Sequence, residues 1–204
     1  MKLYYVPAAC SLSVQIALHE AGISHEIEKV DGRTKKTADG GDYLAINPRG
    51  QVPALILDDG SLMTEGPAMV QYIADMKPER NLMPPAGTMA RYRFLEWLNY
   101  LTSEVHQRFY PLFIFPNFPE DVIAALKGDL VKRLAHVSEK LGDQRFLMDE
   151  QFTVADGYLF TMLRWHAFVN VDLAPWPNLS AYSERVAARP AVQAAMRAAG
   201  LIRD

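Results

Sequence analysis

The sequence predicts a mixed α/β domain followed by an all-helical domain. Residues 1–78 alternate short β-prone runs with helical periods, and they open on a strand, a sharp turn and a helix over residues 2–22. The stretch 78–87 holds three prolines and a glycine without periodicity, and only helical periods follow it. We therefore expect domains at 1–78 and 88–204, joined by a linker at 79–87.

The composition excludes several classes of protein. Half of the 204 residues are hydrophobic, 22% are charged and the net charge is −3, so a sizeable core is available but no basic stripe for nucleic acid. No apolar run approaches the ~20 residues that span a bilayer, and no signal-peptide pattern is present. Its one cysteine excludes an internal disulfide or a multi-cysteine zinc site. We expect a cytoplasmic protein with no metal and with neither a nucleic-acid nor a membrane partner.

The first domain is predicted to run β-α-β and then β-β-α. The alternating segment 25–30 follows the first helix, so its strand should lie parallel to the first. Residues 31–42 predict a surface loop. A strand at 52–57 turns back through Asp58-Asp59-Gly60, and a second helix begins near Pro67.

The second domain is predicted to be built from helices alone. A long helix from Met89 should be closed by Pro111 and Pro116, and the cleanest apolar stripe runs from residue 123 to 141. The pattern Thr153-Val154-Ala155-Asp156 indicates a capping box that opens a buried helix. Two short helices complete the chain, over residues 179–189 and 191–199.

Cys10 and Ser11 lie at the junction between the first strand and the first helix. A helix N-terminus has unpaired N–H groups and a partial positive charge, which lower a thiol's pKa. This setting predicts a reactive thiolate at Cys10; the alternative is a buried, inert thiol.

A second group of candidates lies at matching ends of the second half of the first domain. The strand edge at Val52-Pro53 offers backbone groups to an extended, peptide-like ligand. Glu65 is suited to an ammonium group, and the N–H groups from Gly66 onward to a carboxylate. The alternative is that these residues only form a hairpin and a helix cap, which the spacing alone favours.

A third group follows one stripe of the helical domain. Asn99, Ser103, His106 and Tyr110 recur at helical spacing and are expected to share one face. Solvent exposure and a ligand-facing role fit this spacing equally well. A cleft between an α/β and a helical domain is the default place for such a ligand.

These motifs, taken in order, resemble a bacterial glutathione S-transferase of the Beta class. The resemblance runs almost the whole length of the chain, and it rests on these segments: Tyr4-Tyr5, 9–13 (ACSLS), 47–55 (NPRGQVPAL), 64–66 (TEG), 103–106 (SEVH) and 152–156 (FTVAD). It implies a thioredoxin-like N-terminal domain, a helical-bundle C-terminal domain and a homodimer whose interface the helical domain helps to form. Members of this class often have serine where this chain has Gly66, which removes one hydroxyl from the site.

The resemblance also implies roles for single residues. Catalysis would involve Cys10, Ser11, Tyr5 and His106, with Cys10 beside the glutathione sulfur. Glutathione would be held by Lys35, Gln51, Val52, Pro53, Glu65, Gly66, Asn99, Ser103 and Glu104, the last reaching across the dimer, and the Val52-Pro53 bond would be cis. The electrophile would contact Phe109, Phe113, Phe115 and Trp165.

The expected activity is conjugation of the glutathione thiolate to small hydrophobic electrophiles, with glutathione as co-substrate and no other cofactor. Whether Cys10, Ser11 or Tyr5 activates the thiol is open at this point, as is a mixed disulfide between Cys10 and glutathione. The alternatives are a non-enzymatic glutathione-binding carrier and a glutathione-dependent dehalogenase or isomerase.

Overall fold

A computed structural model describes residues 1–115 and 117–203, and these form two compact units. The first unit contains Met1–Met83 and the residues from Arg189 onward, and the second is Pro84–Ala188. Pro116, one of the two prolines expected to close the long helix, lies outside the described residues.

The first unit is built on a sheet of short strands. They are β1 (Lys2–Tyr5), β2 (Glu26–Lys29), β3 (Ala54–Ile56) and β4 (Leu62–Met63), in the order β2-β1-β3-β4. β1 pairs in parallel with β2 and antiparallel with β3, so that Leu3 lies between Ile27 and Leu55. β3 and β4 form the expected antiparallel hairpin. The parallel first pair and the hairpin are thus confirmed.

Helices α1 (Ser11–Ala21) and α3 (Gly66–Asp75) pack against each other in this unit. Gly22 ends α1 in the left-handed conformation, at φ +67°, where a residue without Cβ is favoured. A short helix, α2 (Tyr43–Ile46), was not expected from the sequence. It forms because the Asp42 side chain accepts a 2.9 Å hydrogen bond from the Leu44 N–H. A 3₁₀ turn covers Pro78–Arg80.

The second unit is helical throughout. Its elements are α4 (Met89–Tyr100), a π-helix (Leu101–His106), α5 (Gln107–Ile114), α6 (Glu120–Leu141), α7 (Val154–Leu163) and α8 (Pro177–Ala187). All of α7 is buried, and it begins with the predicted capping box at Thr153 and Asp156. None of the described helices combines the length and the apolarity needed to cross a membrane.

The long helix from Met89 does not end where the sequence predicted. Pro111 does not end the long helix but lies inside α5, which continues to Ile114. A proline removes one backbone donor and disfavours a helix by about 3 kcal/mol. The complete burial of Phe109 and the near-complete burial of Leu112, on the same helix, offset this cost.

The last residues of the chain belong to the first unit and not, as expected, to the helical domain. α9 (Pro190–Ala198) packs on α1 in the first unit. The Arg189 guanidinium donates to the Glu20 carboxylate through Nε at 2.5 Å and Nη2 at 2.8 Å. These contacts attach the chain from Arg189 onward to the first unit, although the helical domain was expected to run to residue 204.

Candidate functional site

Cys10 immediately precedes α1, as expected, but its thiol is protonated. The thiol donates a hydrogen bond to the Val52 carbonyl, with Sγ 3.3 Å from the oxygen. Burial raises the pKa of Cys10 to about 11, although the N–H groups of Cys10 and Ser11 act to lower it. The expected depression of this pKa is therefore wrong, because desolvation outweighs the effect of the helix terminus.

Ser11 and Tyr5, the other two residues expected near the thiolate, are both buried. The Ser11 side chain is fully buried, and its hydroxyl donates to the Val6 carbonyl at 3.2 Å. Tyr5 is 8% exposed, and burial raises its pKa. The Ser11 hydroxyl is thus bonded within its own chain at the start of α1, and the roles of Ser11 and Tyr5 toward a thiolate stay predictions.

The turn before β3 is held by side chains that the sequence did not single out. The Gln51 carbonyl accepts hydrogen bonds from the Tyr43 hydroxyl at 2.6 Å and from the Asn47 amide at 2.8 Å. Asn47 also accepts the Gly50 N–H through its own carbonyl, at 2.8 Å. This scaffold fixes the approach to Val52, whose peptide bond to Pro53 is cis, as the resemblance implied.

Glu65 lies at the N-cap of α3 in a conformation that is unusual for a residue with a side chain. Its φ is +69°, and its side chain makes no cap hydrogen bond. The carboxylate instead forms an ion pair with Arg49, with Nη1 2.7 Å from Oε1. Strained backbone of this kind is found preferentially at ligand sites. Gly66 follows as the first residue of α3 and is buried.

Lys35 lies close to the same turn. Its Nζ donates to the Gly50 carbonyl at 2.8 Å, and its backbone φ is +56°. The first unit therefore gathers two cations and one carboxylate, Lys35, Arg49 and Glu65, around the turn that leads into β3. Arg49 was absent from the sequence-based candidates, because its ion pair is with a residue 16 positions further along the chain.

The polar stripe of the second unit does not lie on one face. A π-helix makes i→i+5 hydrogen bonds and so has a wider turn than the α-helix assumed for the spacing. Across Leu101–His106 this shifts the phase of the helix. Asn99, Ser103 and Tyr110 are exposed, whereas His106 is half-buried. A mid-helix π-turn has no recognised sequence signature, so the spacing alone did not reveal it.

His106 forms a hydrogen-bonded pair with a buried tyrosine. Its Nδ1 lies 2.8 Å from the hydroxyl of Tyr158, which is 1% exposed on α7. Burial lowers the pKa of His106 to about 4, so the imidazole is neutral at pH 7. No local pattern in the sequence predicts this contact, because His106 and Tyr158 lie 52 positions apart.

Glu104 is held by cations of its own chain. Its carboxylate lies 3.4 Å from Arg108 Nη2 and 3.1 Å from Arg133 Nε, and both arginines also contact Asp129. This half-buried quartet of alternating charges joins the π-helix and α5 to α6. Any contact of Glu104 with a ligand would have to compete with these ion pairs.

The expected electrophile residues separate into two groups. Phe109, Phe113 and Trp165 form one cluster, with ring centroids 5.4–6.3 Å apart, and His106 lies 5.1 Å from the Trp165 ring. Phe109 is completely buried and stacks on Phe113, which is 39% exposed. Phe115 lies apart from this cluster and stacks on Phe118 at 4.8 Å.

Metal-binding side chains do not gather in the described part of the chain. No group of three or more His, Cys, Asp or Glu residues is placed to hold a metal ion among residues 1–115 and 117–203.

Comparisons with known proteins agree with this architecture. Residues 9–76 match the family model of the glutathione S-transferase N-terminal domain, and residues 93–190 match that of the C-terminal domain. The glutathione S-transferase GstA of Escherichia coli O157:H7 is 46% identical over 98% of this chain and 100% of its own.

Two solved structures show the same similarity in three dimensions. A sphingomonad glutathione S-transferase in complex with glutathione has a TM-score of 0.93 at 44% identity, covering 99% of this chain and 100% of its own. A beta-class enzyme from Sphingomonas chungbukensis has a TM-score of 0.94 at 44% identity and equal coverage.

The small mixed sheet with its helices, followed by a helical unit, is the fold of the glutathione transferases, a class of enzymes. With both family models matched in order along its length, the chain belongs to the glutathione S-transferase family.

Proposed function

We propose that this protein conjugates the thiolate of glutathione to small hydrophobic electrophiles. The observation that carries the proposal is the arrangement of the first unit, in which Cys10 at the start of α1 contacts Val52 and Glu65 stands at the start of α3. A backbone edge, a carboxylate and a helix N-terminus match the amide, ammonium and carboxylate groups of a γ-glutamyl tripeptide.

The tripeptide would be bound mainly by the first unit. The Val52 backbone, before Pro53, would pair with the cysteinyl amide, while Gln51 adjoins it. Glu65 would take the ammonium group, the N–H groups from Gly66 onward the γ-glutamyl carboxylate, and Lys35 the glycine carboxylate. We propose that Asn99, Ser103 and Glu104 contribute further polar contacts.

The chemical step needs an anionic glutathione sulfur. Because the Cys10 thiol stays protonated, its S–H would turn from the Val52 carbonyl, which the cysteinyl N–H then occupies, and donate to that sulfur, stabilising the thiolate. In the reaction with an aryl chloride, the sulfur attacks the ring carbon, a C–S bond forms and chloride leaves with the electrons of the C–Cl bond. The thiol proton passes to solvent.

The electrophile would be bound by the aromatic residues of the second unit. Phe113 and Phe115 expose ring surface, and the buried Phe109 and Trp165 support Phe113. Neutral His106 would border the same cluster, 5.1 Å from Trp165 between ring centroids.

Calorimetry with glutathione, followed by a conjugation assay with chlorodinitrobenzene, tests the proposal. We expect glutathione to release or absorb heat on binding and to raise the melting temperature, and we expect chloride release to depend on both substrates. Binding without turnover would leave only the carrier function, and the absence of binding at millimolar glutathione would refute the proposal.

The Cys10→Ala variant separates conjugation from disulfide exchange. We expect conjugation to persist at a reduced rate, because the variant loses one weak donor to the sulfur. If instead glutathione-dependent disulfide reduction were the main activity and disappeared in this variant, a mixed disulfide at Cys10 would be the better account.

We also propose that the protein is a cytoplasmic homodimer. In support, α4 exposes two large apolar side chains, Met89 at 69% and Tyr92 at 58%, beside Arg93 and Glu96. Apolar groups within a polar rim are typical of protein interfaces. Light scattering should give twice the chain mass, and Tyr92→Glu should shift the protein toward monomer.

A further inference from the structure

The ion pair between Arg49 and Glu65 bears on how the site recognises the head of its ligand. The two side chains meet at 2.7 Å, yet they are 57% and 59% exposed. An exposed pair of this kind contributes little to folding stability, so it is easily opened.

The backbone holds both members of this pair in fixed positions. The Arg49 N–H donates to the Asn47 side chain at 3.2 Å, within the turn that Asn47 closes. Glu65 is fixed at the N-cap of α3, where its carbonyl accepts from the N–H groups of Ala68 and Met69. Both charges therefore stay near each other when the ion pair opens.

A ligand that offers only an ammonium group gains little from such a pair. To reach Glu65 it must displace the guanidinium, which exchanges one ion pair for another. A zwitterion gains more, because its ammonium takes Glu65 while its carboxylate takes Arg49. The single ion pair then becomes two, with alternating charges and no change in net charge.

We propose that Arg49 is a specificity-determining residue that selects the α-amino acid head of the ligand. On this proposal, which rests on the proposed function, the γ-glutamyl zwitterion inserts between Arg49 and Glu65. The guanidinium then binds the α-carboxylate beside Gly66 at the start of α3, a residue that has no side chain to contact it. Lys35 is less suited to this role, since its Nζ is already bonded to the Gly50 carbonyl.

Three ligands distinguish the possible roles of Arg49. Glutathione carries the whole zwitterion, γ-aminobutyryl-cysteinylglycine lacks the α-carboxylate, and glutaryl-cysteinylglycine lacks the ammonium. Dissociation constants would be measured by calorimetry for the unmodified protein and for Arg49→Ala, Arg49→Lys and Glu65→Gln. Arg33→Ala, at an exposed arginine in the same unit, is the matched control.

We expect Arg49→Ala to weaken glutathione binding about fivefold, as the loss of one exposed charge pair implies. The same variant should not weaken binding of γ-aminobutyryl-cysteinylglycine, because its ammonium no longer competes with a guanidinium. Glu65→Gln should weaken the two ligands that carry an ammonium and spare the glutaryl compound. Arg49→Lys should recover part of the affinity, and Arg33→Ala should change none of the three constants.

Equal weakening of glutathione and the γ-aminobutyryl compound by Arg49→Ala would overturn the proposal, since Arg49 would then act only through the turn. Tighter binding of glutathione by Arg49→Ala would also overturn the proposal, because Arg49 would then only compete with the ammonium group for Glu65. If the unmodified protein binds none of the three ligands, the proposed function itself fails. That result is distinct from a protein that binds glutathione regardless of Arg49.

Discussion

Cys10 shows how a helix terminus and burial act in opposite directions on one side chain. Backbone N–H groups at the start of α1 favour the thiolate, whereas removal from water favours the thiol. Burial dominates, and the pKa of Cys10 rises to about 11. The sequence placed the cysteine correctly but carried no measure of its burial, so the direction of the shift could not be predicted from it.

The rate at which Cys10 is alkylated tests whether burial raises the pKa of its thiol. Because the chain has one cysteine, iodoacetamide incorporation reports that thiol alone. We expect the rate to stay low at neutral pH and to rise only in alkaline solution, toward the pKa of about 11. Mass spectrometry across a pH series gives the profile. A midpoint below pH 7 would contradict the burial argument and restore a reactive thiolate.

His106 predicts how stability changes with acidity. Burial lowers its pKa to about 4 in the folded protein, whereas an unfolded histidine titrates near 6.5. Between these values the unfolded state binds more protons, so the free energy of unfolding falls as the pH falls from about 6.5 toward 4.

Urea unfolding at pH 7 and at pH 5 measures this loss of stability. In His106→Asn the dependence between the two pH values should be smaller than in the unmodified protein. His166→Asn is a control in the same unit. An unchanged pH dependence in His106→Asn would show that His106 is not the group responsible.

At the scale of elements, the capping box of α7 depends on one buried carboxylate. Asp156 accepts hydrogen bonds from the N–H groups of Leu147 and Thr153 and from the hydroxyls of Thr153 and Tyr182, at 2.7–2.9 Å. It thereby joins the start of α7 to the preceding turn and to α8. Its role extends well beyond the local cap that the sequence indicated.

Asp156→Ala should destabilise the protein by about 3–5 kcal/mol, because it leaves several buried donors without an acceptor. Asp121→Ala removes an exposed acid from the first turn of α6 and should cost less than about 1 kcal/mol. Chemical denaturation of both variants gives the comparison. If the free energy of unfolding fell by similar amounts in the two variants, the buried hydrogen bonds of Asp156 would contribute no more to stability than a charge at a helix terminus.

Prediction from sequence succeeded where one local pattern determines the structure. The parallel β1–β2 pair, the hairpin at Gly60 and the cap at Thr153 all follow from turn residues and periodicity. Prediction from sequence failed where a contact joins residues that are far apart in the chain. The ion pair of Arg49 with Glu65 and the contact of His106 with Tyr158 join residues 16 and 52 positions apart, which no local pattern encodes.

At the scale of the whole molecule, the first unit is completed by the end of the chain. Arg189 contacts Glu20 across a separation of 169 residues, and the Glu20 side chain is only 9% exposed. α9 then packs on α1, the helix that carries the candidate site at its start. The integrity of that unit therefore depends on residues that follow the second unit in the sequence.

Glu20→Gln tests this dependence, because the amide keeps the shape of the side chain but not its charge. The charge-assisted bidentate contact with Arg189 is lost, and we expect stability to fall by about 1–3 kcal/mol. Trypsin should also cleave near Arg197, within α9, faster than in the unmodified protein, since α9 is less firmly attached. Glu26→Gln, at an exposed position of β2, should change neither property. If α9 stayed equally protected in Glu20→Gln while stability was unchanged, the apolar contacts of α9 with α1 would suffice to hold the chain end.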